Sequence, residues 1–358
     1  MKLPFPPPLA PMEAKTRPDV PEGEGWAYEP KWDGFRAIAF RDGDEVEITS
    51  RKQLPFNRYF PDIVEAVLAG PGARAVLDGE IVIFGPRGLE FDALLQRIHP
   101  AASRVARLAK ETPASFVAFD LLAEGDADLR DTPFAERRER LERLLADAEP
   151  PLLLSPQTDD PEVARGWLTE FDVSGLDGVV AKRGDRPYRS GEREMIKVKR
   201  ERTADCVVGG FRWYKDSEGT AVGSLLLGLW HEGKLHHVGF TSGFSAKERV
   251  DVVKMLKPHA GGKGFTGAAP GGPSRWRAAE EAEFVPLDPV LVVEVGFDQV
   301  TGHRIRHGAR FKRWRPDKPA KQCTFDQLYP TGTKEELDEL FAWETDAGDA
   351  AGRGAPQA

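Results

Sequence analysis

Residues 74–84, Arg-Ala-Val-Leu-Asp-Gly-Glu-Ile-Val-Ile-Phe, make a β-rich run with Asp78, Gly79 and Glu80 at its centre. A carboxylate flanked by Val76, Leu77, Ile81, Val82 and Ile83 is costly to bury unless it is paired or coordinates a cation. Two arrangements satisfy that condition. Glu80 lies inside a sheet and contacts a ribose or a metal ion, or it points outward from an edge strand. The residues alone leave both open, and what surrounds this run in the chain has to decide.

A second polar stretch comes earlier, Glu29-Pro30-Lys31-Trp32-Asp33-Gly34-Phe35-Arg36. A lysine amine attacks phosphorus only when neutral, so a reactive Lys31 needs desolvation and nearby cations to lower its pKa. Trp32, Phe35 and Ile38 offer the apolar setting. Asp33 could orient the amine, and Gly34 lets backbone approach a ligand closely. Arg36 offers a forked donor for phosphate or ribose. Arg51, past a hairpin turning at Asp42-Gly43, reaches a phosphate or sits on the surface. Phe119, before Asp120, stacks on a purine or fills a core. In Leu176-Asp177-Gly178-Val179-Val180-Ala181-Lys182 a carboxylate again precedes a glycine entering a strand. Glu80 and Asp177 could together hold a hard divalent ion. Lys197 and Lys199 are two apart, hence on one strand face, where they would bind phosphate and depress the pKa of a nearby Lys31.

The pattern predicts strands at 26–31, 35–41, 45–51, 74–84, 115–122, 178–183 and 194–199, with helices at 58–69, 91–98, 132–147 and 161–174. From about Thr203 the chain changes to short β runs at 205–214, 221–230, 234–241, 290–299 and 303–314, with one helix at 245–256. Ser245 and Glu248 form a capping box there. A glycine-rich loop covers 259–273. Four or five short strands with one helix suit a small barrel of the OB type. Thr333 to Glu336 is a second capping box, opening a helix to about 344, and 346–358 is expected to be disordered.

At 358 residues two domains are expected. The formal net charge of −8 does not announce a nucleic-acid partner, so local patches have to. Residues 182–202 hold nine Lys/Arg against four acids, and 304–318 hold seven against Asp317 alone, with Phe311 and Trp314 interleaved. That composition suits a phosphate backbone. Cys206 and Cys323 form no metal-type cluster, which suits a reducing cytoplasm without zinc. Prolines before residue 11 argue against a signal peptide, and no apolar run is long enough to span a membrane.

Taken in order, Lys31-x-Asp-Gly34, Ser50-Arg51, Asp78-Gly-Glu80, Phe119-Asp120, Asp177-Gly-Val-Val180, Lys197-x-Lys199 and Arg313-x-Arg315-x-Asp317-Lys318 resemble the motif series of the covalent nucleotidyltransferases, over about residues 8–325. Within that superfamily they most resemble bacterial ATP-dependent DNA ligases, of the stand-alone C type. The fourth motif usually carries Glu where this chain has Asp177. The resemblance implies an α+β chain. An adenylation domain of antiparallel sheets with flanking helices (1–202) precedes an OB-fold β-barrel (203–330) and a C-terminal helix and tail (331–358).

It further implies that Lys31 takes AMP from ATP and passes it to the 5′-phosphate of a nick, which a 3′-OH then seals. Glu29 would accept from the adenine amino group and Phe119 would stack on the ring. Arg36 and Arg51 would contact ribose and phosphates, with Arg193 a further nucleotide contact. Glu80 and Asp177 would meet ribose and a Mg²⁺ or Mn²⁺ ion, and Lys197 and Lys199 the α-phosphate. Arg315, Asp317 and Lys318 would visit the β- and γ-phosphates only while Lys31 attacks. The implied partner is nicked duplex DNA, encircled by a protein that is monomeric when free and works in the cytoplasm. RNA ligases and GTP-using capping enzymes share most of these motifs. An intact Lys31 and intact paired lysines argue against a silent DNA-binding relative.

Overall fold

The computed structural model describes residues 1–86, 88–170, 175–199, 201–271, 283–298, 300–306, 308–329 and 337–341. The chain divides into two compact units, one of Met1–Arg200 with Pro330–Ala358 and one of Glu201–Tyr329.

The first unit runs β1 (Glu13–Arg17), β2 (Trp26–Pro30), β3 (Phe35–Asp42), β4 (Glu45–Ser50), α1 (Pro61–Ala69) and β5 (Arg74–Val82). A short ladder of β6 (Phe84–Gly85) and β7 (Gly88–Leu89) leads to α2 (Phe91–Arg97) and α3 (Ala102–Glu111). Then come β8 (Ser115–Glu124), β9 (Ala127–Asp128), α4 (Phe134–Leu145), β10 (Leu152–Leu154), α5 (Pro161–Glu170), β11 (Val179–Arg183) and β12 (Arg193–Val198). They build two sheets. One has the order β1-β12-β11-β2, the other β10-β8-β5-β3-β4 with β9 on β8. The sheets are mixed rather than wholly antiparallel, because β1 pairs β12 and β10 pairs β8 in parallel. The β8–α4–β10 path is a crossover, the connection that parallel neighbours need.

Helix α1 starts at Pro61, three residues later than the periodicity suggests, because proline suits the first helical turn. Helix α3 was not expected from the sequence. Only Val105 and Leu108 of its ten residues are buried, too thin a stripe to stand out. Helix α4 buries Phe134, Arg137, Arg138, Leu141 and Leu145 on one face. The capping box at 333–336 and the segment 346–358 lie outside the described residues, as do 171–174 of the helix expected at 161–174. Residues 337–341 are helical.

Asp78 and Asp120 face each other across the β5–β8 ladder, both buried. Two adjacent buried anions persist only with cations. Arg137 of α4 clamps Asp120 through Nε at 2.7 Å and Nη2 at 3.0 Å. Arg36 of β3 clamps Asp78 at 2.6 and 2.7 Å. Beside Asp78 the ladder to β8 shifts register at Gly79, so β5 is a bulged inner strand rather than an edge; it ends at Val82, and Phe84 of the expected run belongs to β6.

The second unit runs β13 (Arg202–Trp213), β14 (Val222–His231), β15 (Lys234–Thr241), α6 (Ala246–Leu256), β16 (Val285–Pro286), β17 (Val292–Phe297), β18 (Val300–Thr301), β19 (Arg304–Ile305) and β20 (Arg310–Trp314). Its antiparallel sheet has the order β15-β14-β13-β17-β20, with β16 on β13. The β14–β15 turn places both Glu232 and Gly233 at positive φ, the requirement of a type I′ hairpin. The capping box that starts α6 is formed from both sides. The run expected at 303–314 is split into β19 and β20. The sheet curls until Thr241 of β15 bridges Ala309, just before β20, and no full ladder closes it among the described residues.

Arg137 tests the clamp. Replacing it with Ala leaves Asp120 buried without its cation, a change that costs about 3–5 kcal/mol. Urea unfolding of Arg137→Ala followed by circular dichroism is expected to show that loss. A loss below about 1 kcal/mol would mean water relieves the orphaned carboxylate.

Candidate active site

Lys31 is the first residue beyond β2. The register Val179↔Pro30 and Val180↔Glu29 carries on into the loop, where the Lys31 N–H donates to Gly178 O at 2.8 Å and the Asp177 N–H donates to Lys31 O at 2.9 Å. On the other side of β11, Val180 pairs Lys197 of β12. Three strands therefore bring Lys31, Asp177, Lys197 and Lys199 to one sheet end. Gly178 is required there. It has φ +133°, and a Cβ on it would overlap the Val198 carbonyl oxygen. Gly34 is required as well, since a Cβ there would overlap the Ile81 carbonyl.

The Lys31 amine donates to Asp177 Oδ2, and Lys199 Nζ reaches the same oxygen at 2.6 Å. Burial pushes the Lys31 amine down, but the Asp177 carboxylate, helped by Glu80 and Asp33, outweighs it and the net shift is upward. This corrects the expectation of a depressed amine. The cations that were to lower it are partly spent on the same carboxylate. Lys197, not Lys31, is the depressed amine, pushed down by burial and then by Lys31 and Lys199. Glu80, opposite Arg36 in the β3–β5 ladder, is pushed up to about 7 by burial, against the pull of Arg36 and Lys31.

Behind Lys31, Glu29 is buried and bonded to Lys182 Nζ at 2.7 Å, with Arg138 at 3.7 Å. Glu29 Oε1 accepts no hydrogen bond. Burial raises Glu29 and lowers Lys182, so their attraction does not fully repay desolvation. Lys182 Nζ also donates to Phe119 O at 3.0 Å and lies 4.7 Å from the Phe119 ring centre. The Arg36 guanidinium sits 4.3 Å from the same ring. Glu29 and Phe119 thus share Lys182 as a partner, and the aromatic ring already carries cations.

The other arginines are less free than the sequence suggests. Arg36 is held by Asp78, which also accepts from Tyr188 Oη at 2.6 Å. Arg51 and Arg193 are exposed and converge on Glu13, at 2.7 and 3.4 Å. In the second unit Arg315 binds Asp205 at 2.8 Å and Asp317 at 2.8 Å, with Lys318 at 3.9 Å from Asp205. Hydrogen bonding from Arg315 draws Asp317 down to about 2. The run 304–318 is not one-sided in space. Arg310 and Lys312 meet Glu201, Arg310 also meets Asp298, and Arg313 meets Glu294. Those acids come from outside the run, so a linear charge count missed them.

Sequence reasoning also missed Glu13, Asp78, Lys182 and Asp205 as partners. Lys182 was visible as a lysine following the buried alternation Val179, Ala181. Glu13 gave no signal, since β1 has no local partner strand. Among the described residues no group of three or more His, Cys, Asp or Glu forms a metal cage. Glu80 and Asp177 are hard oxygen donors around Lys31, and one or two carboxylates suffice for Mg²⁺ beside phosphate.

The family model described as "ATP dependent DNA ligase domain" matches residues 8–199, and that described as "ATP dependent DNA ligase C terminal region" matches 218–318. The chain belongs to the ATP-dependent DNA ligase family. It is 49% identical over 343 residues to DNA ligase C2 of Mycolicibacterium smegmatis, covering 92% of this chain and 96% of that one. It is 47% identical over 345 residues to DNA ligase C of Mycobacterium tuberculosis, with the same two coverages. The solved structure Pmar-Lig_PreS3 has the same fold at 18% identity, with a TM-score of 0.54 over 86% of this chain and 68% of that one.

The Glu80 carboxyl is expected to titrate near 7 in metal-free buffer when followed by ¹³C NMR. Lys31→Met removes a cation that lowers it, so the midpoint should rise further. A wild-type midpoint in the ordinary carboxylate range near 4.5 would show that Glu80 is hydrated, not desolvated.

Proposed function

We propose that the protein is an ATP-dependent DNA ligase that seals nicks in duplex DNA through a lysyl-AMP intermediate on Lys31. The observation that carries this is the convergence of Lys31, Asp177, Lys197 and Lys199 at one sheet end, beside the buried Glu29–Phe119–Lys182 cluster. The family supplies the reaction class, and the roles below are those that the geometry supports within it.

Glu29 Oε1, buried and short of a donor, suits an exocyclic amino group of adenine. That is the feature that favours ATP over a nucleotide carrying a carbonyl there. Phe119 forms the apolar wall. Lys197 and Lys199 lie where a phosphate beside Lys31 would need neutralising. Arg51 and Arg193 would exchange Glu13 for nucleotide or DNA phosphate. A divalent cation held by Glu80 and Asp177 would neutralise phosphate charge when bound.

In the first step Lys31 Nζ forms a bond to the α-phosphorus while the bond to the β-phosphate oxygen breaks and pyrophosphate leaves. For this the amine must give up both its proton and its contact with Asp177. The 5′-phosphate of the nick then attacks the phosphorus and the Nζ–P bond breaks. The 3′-OH attacks the activated 5′-phosphorus, and AMP departs as the phosphodiester forms. Positioning and charge neutralisation dominate such in-line displacements.

Transfer of label from α-³²P-ATP tests the assignment. Lys31→Ala is expected to form no adduct, and Lys31→Arg none either, because a guanidinium stays protonated. Undiminished adduct in Lys31→Ala would overturn it. Label accepted from GTP as readily as from ATP would favour a capping-type activity instead.

Arg315, Asp317 and Lys318 are proposed to act in the ATP step alone, orienting pyrophosphate. Asp317→Ala also releases Arg315 from one of its three carboxylate partners, leaving Asp205 and Glu294. Adduct formation in Asp317→Ala should fall at least about tenfold, while a nick supplied already adenylated is still sealed. Equal loss in both steps would assign these residues to the whole cycle.

A further inference from the structure

Residues 337–341 follow the second unit in the chain, yet they pack within the first. Neither family model reaches them, since the matches end at 199 and 318. Leu337, Leu340 and Phe341 have the i, i+3, i+4 spacing of one helix face. Leu337 and Leu340 are fully buried in a cluster that also holds Trp32, Val82, Leu89, Leu176 and Val179. Phe341 lies flat on Trp32, with ring centres 5.2 Å apart and planes 15° apart. Phe84 closes the stack edge-on, 6.4 Å from Trp32 and 6.0 Å from Phe341.

Trp32 is the residue after Lys31, and Leu176 is the residue before Asp177. The cluster therefore fastens both chain segments whose side chains meet in the Lys31–Asp177 pair. Two directional contacts orient the Trp32 indole within that cluster. Nε1 donates to Ser155 Oγ at 3.0 Å, which fixes one edge of the ring. The stack with Phe341 fixes its face.

We infer that Phe341 is a positioning residue for Lys31, and that the helix following the second unit completes the nucleotide-transfer site from behind. The stack sets the plane of Trp32, and Trp32 sets the backbone that aims the Lys31 amine. Without the ring, Lys31 keeps its chemistry but loses its direction. An aiming error of about 1 Å at a reacting atom can cost a hundredfold in rate. The inference rests on the proposed role of Lys31 as nucleophile.

The test is pre-steady-state adduct formation with α-³²P-ATP in the full chain, for wild type, Phe341→Ala, Phe341→Leu and Phe341→Tyr. For Phe341→Ala the rate constant at saturating ATP is expected to fall roughly tenfold or more, with half-saturation by ATP changed less than about twofold. Phe341→Leu keeps apolar bulk but not the stacked ring, and should fall likewise; it carries the test if the Ala variant does not fold. Phe341→Tyr keeps the ring and should retain the wild-type rate constant. A purely structural role would lower the fraction of protein that reacts and leave the rate constant of the reacting fraction unchanged. That result, or a Leu variant as fast as the Tyr variant, would overturn the inference. Absence of adduct in the wild type would instead overturn the function proposed for Lys31.

Discussion

Asp78 and Asp120 lie face to face inside one sheet, and the first unit is arranged so that they can. Like charges this close and this dry require a cation each. Arg137 arrives on α4 and fastens that helix to β8. Arg36 arrives on β3 and is thereby brought over Phe119, beside Glu80. The clamp thus serves two ends. Its inner half holds the layers together, and its outer half sets Arg36 against the Phe119 ring. Tyr188 extends the same network by donating to Asp78 and accepting from the Met12 N–H at 2.8 Å, which ties the N-terminal lead-in to the site.

Around Lys31 the charges are dominated by Asp177. A nucleophilic amine must be neutral, yet here it shares a carboxylate with Lys199 and is held protonated. A group that competed for Asp177 would remove the main influence that raises the Lys31 amine. Phosphate and a divalent cation are the natural competitors, because both engage the same charges. The shortened fourth-motif carboxylate fits this geometry. Asp177 reaches both lysines from a backbone position that Gly178 holds close to β12.

Much of this was legible in the chain. The 74–84 run with its central carboxylates, the Lys31 stretch and the Asp177-Gly178 entry were each local patterns, and local patterns survive into structure. The alternation of β14 and β15 around Glu232-Gly233 was legible for the same reason. What escaped was non-local. β1 pairs in parallel with a strand some 180 residues further along the chain, so nothing near Glu13 announced it. The net direction of the Lys31 shift depended on a residue 146 positions away, whose charge was assigned to a metal and not to the amine. The basic run at 304–318 met its counter-charges on β17 and near the start of β13, which no linear count pairs with it. The packing of 337–341 onto Trp32 was invisible because helix periodicity says that a face is buried, not where.

The central claim is that Lys31, and no neighbouring lysine, takes the nucleotide. Lys197 and Lys199 share its sheet end, and Lys197 is the one whose amine is depressed, so the choice is a real one. Peptide mass spectrometry of the wild-type protein after incubation with ATP and Mg²⁺ decides it. The mass of one AMP is expected on the peptide containing Lys31, with Lys197 and Lys199 unmodified. AMP on Lys197 or Lys199, with Lys31 bare, would contradict it.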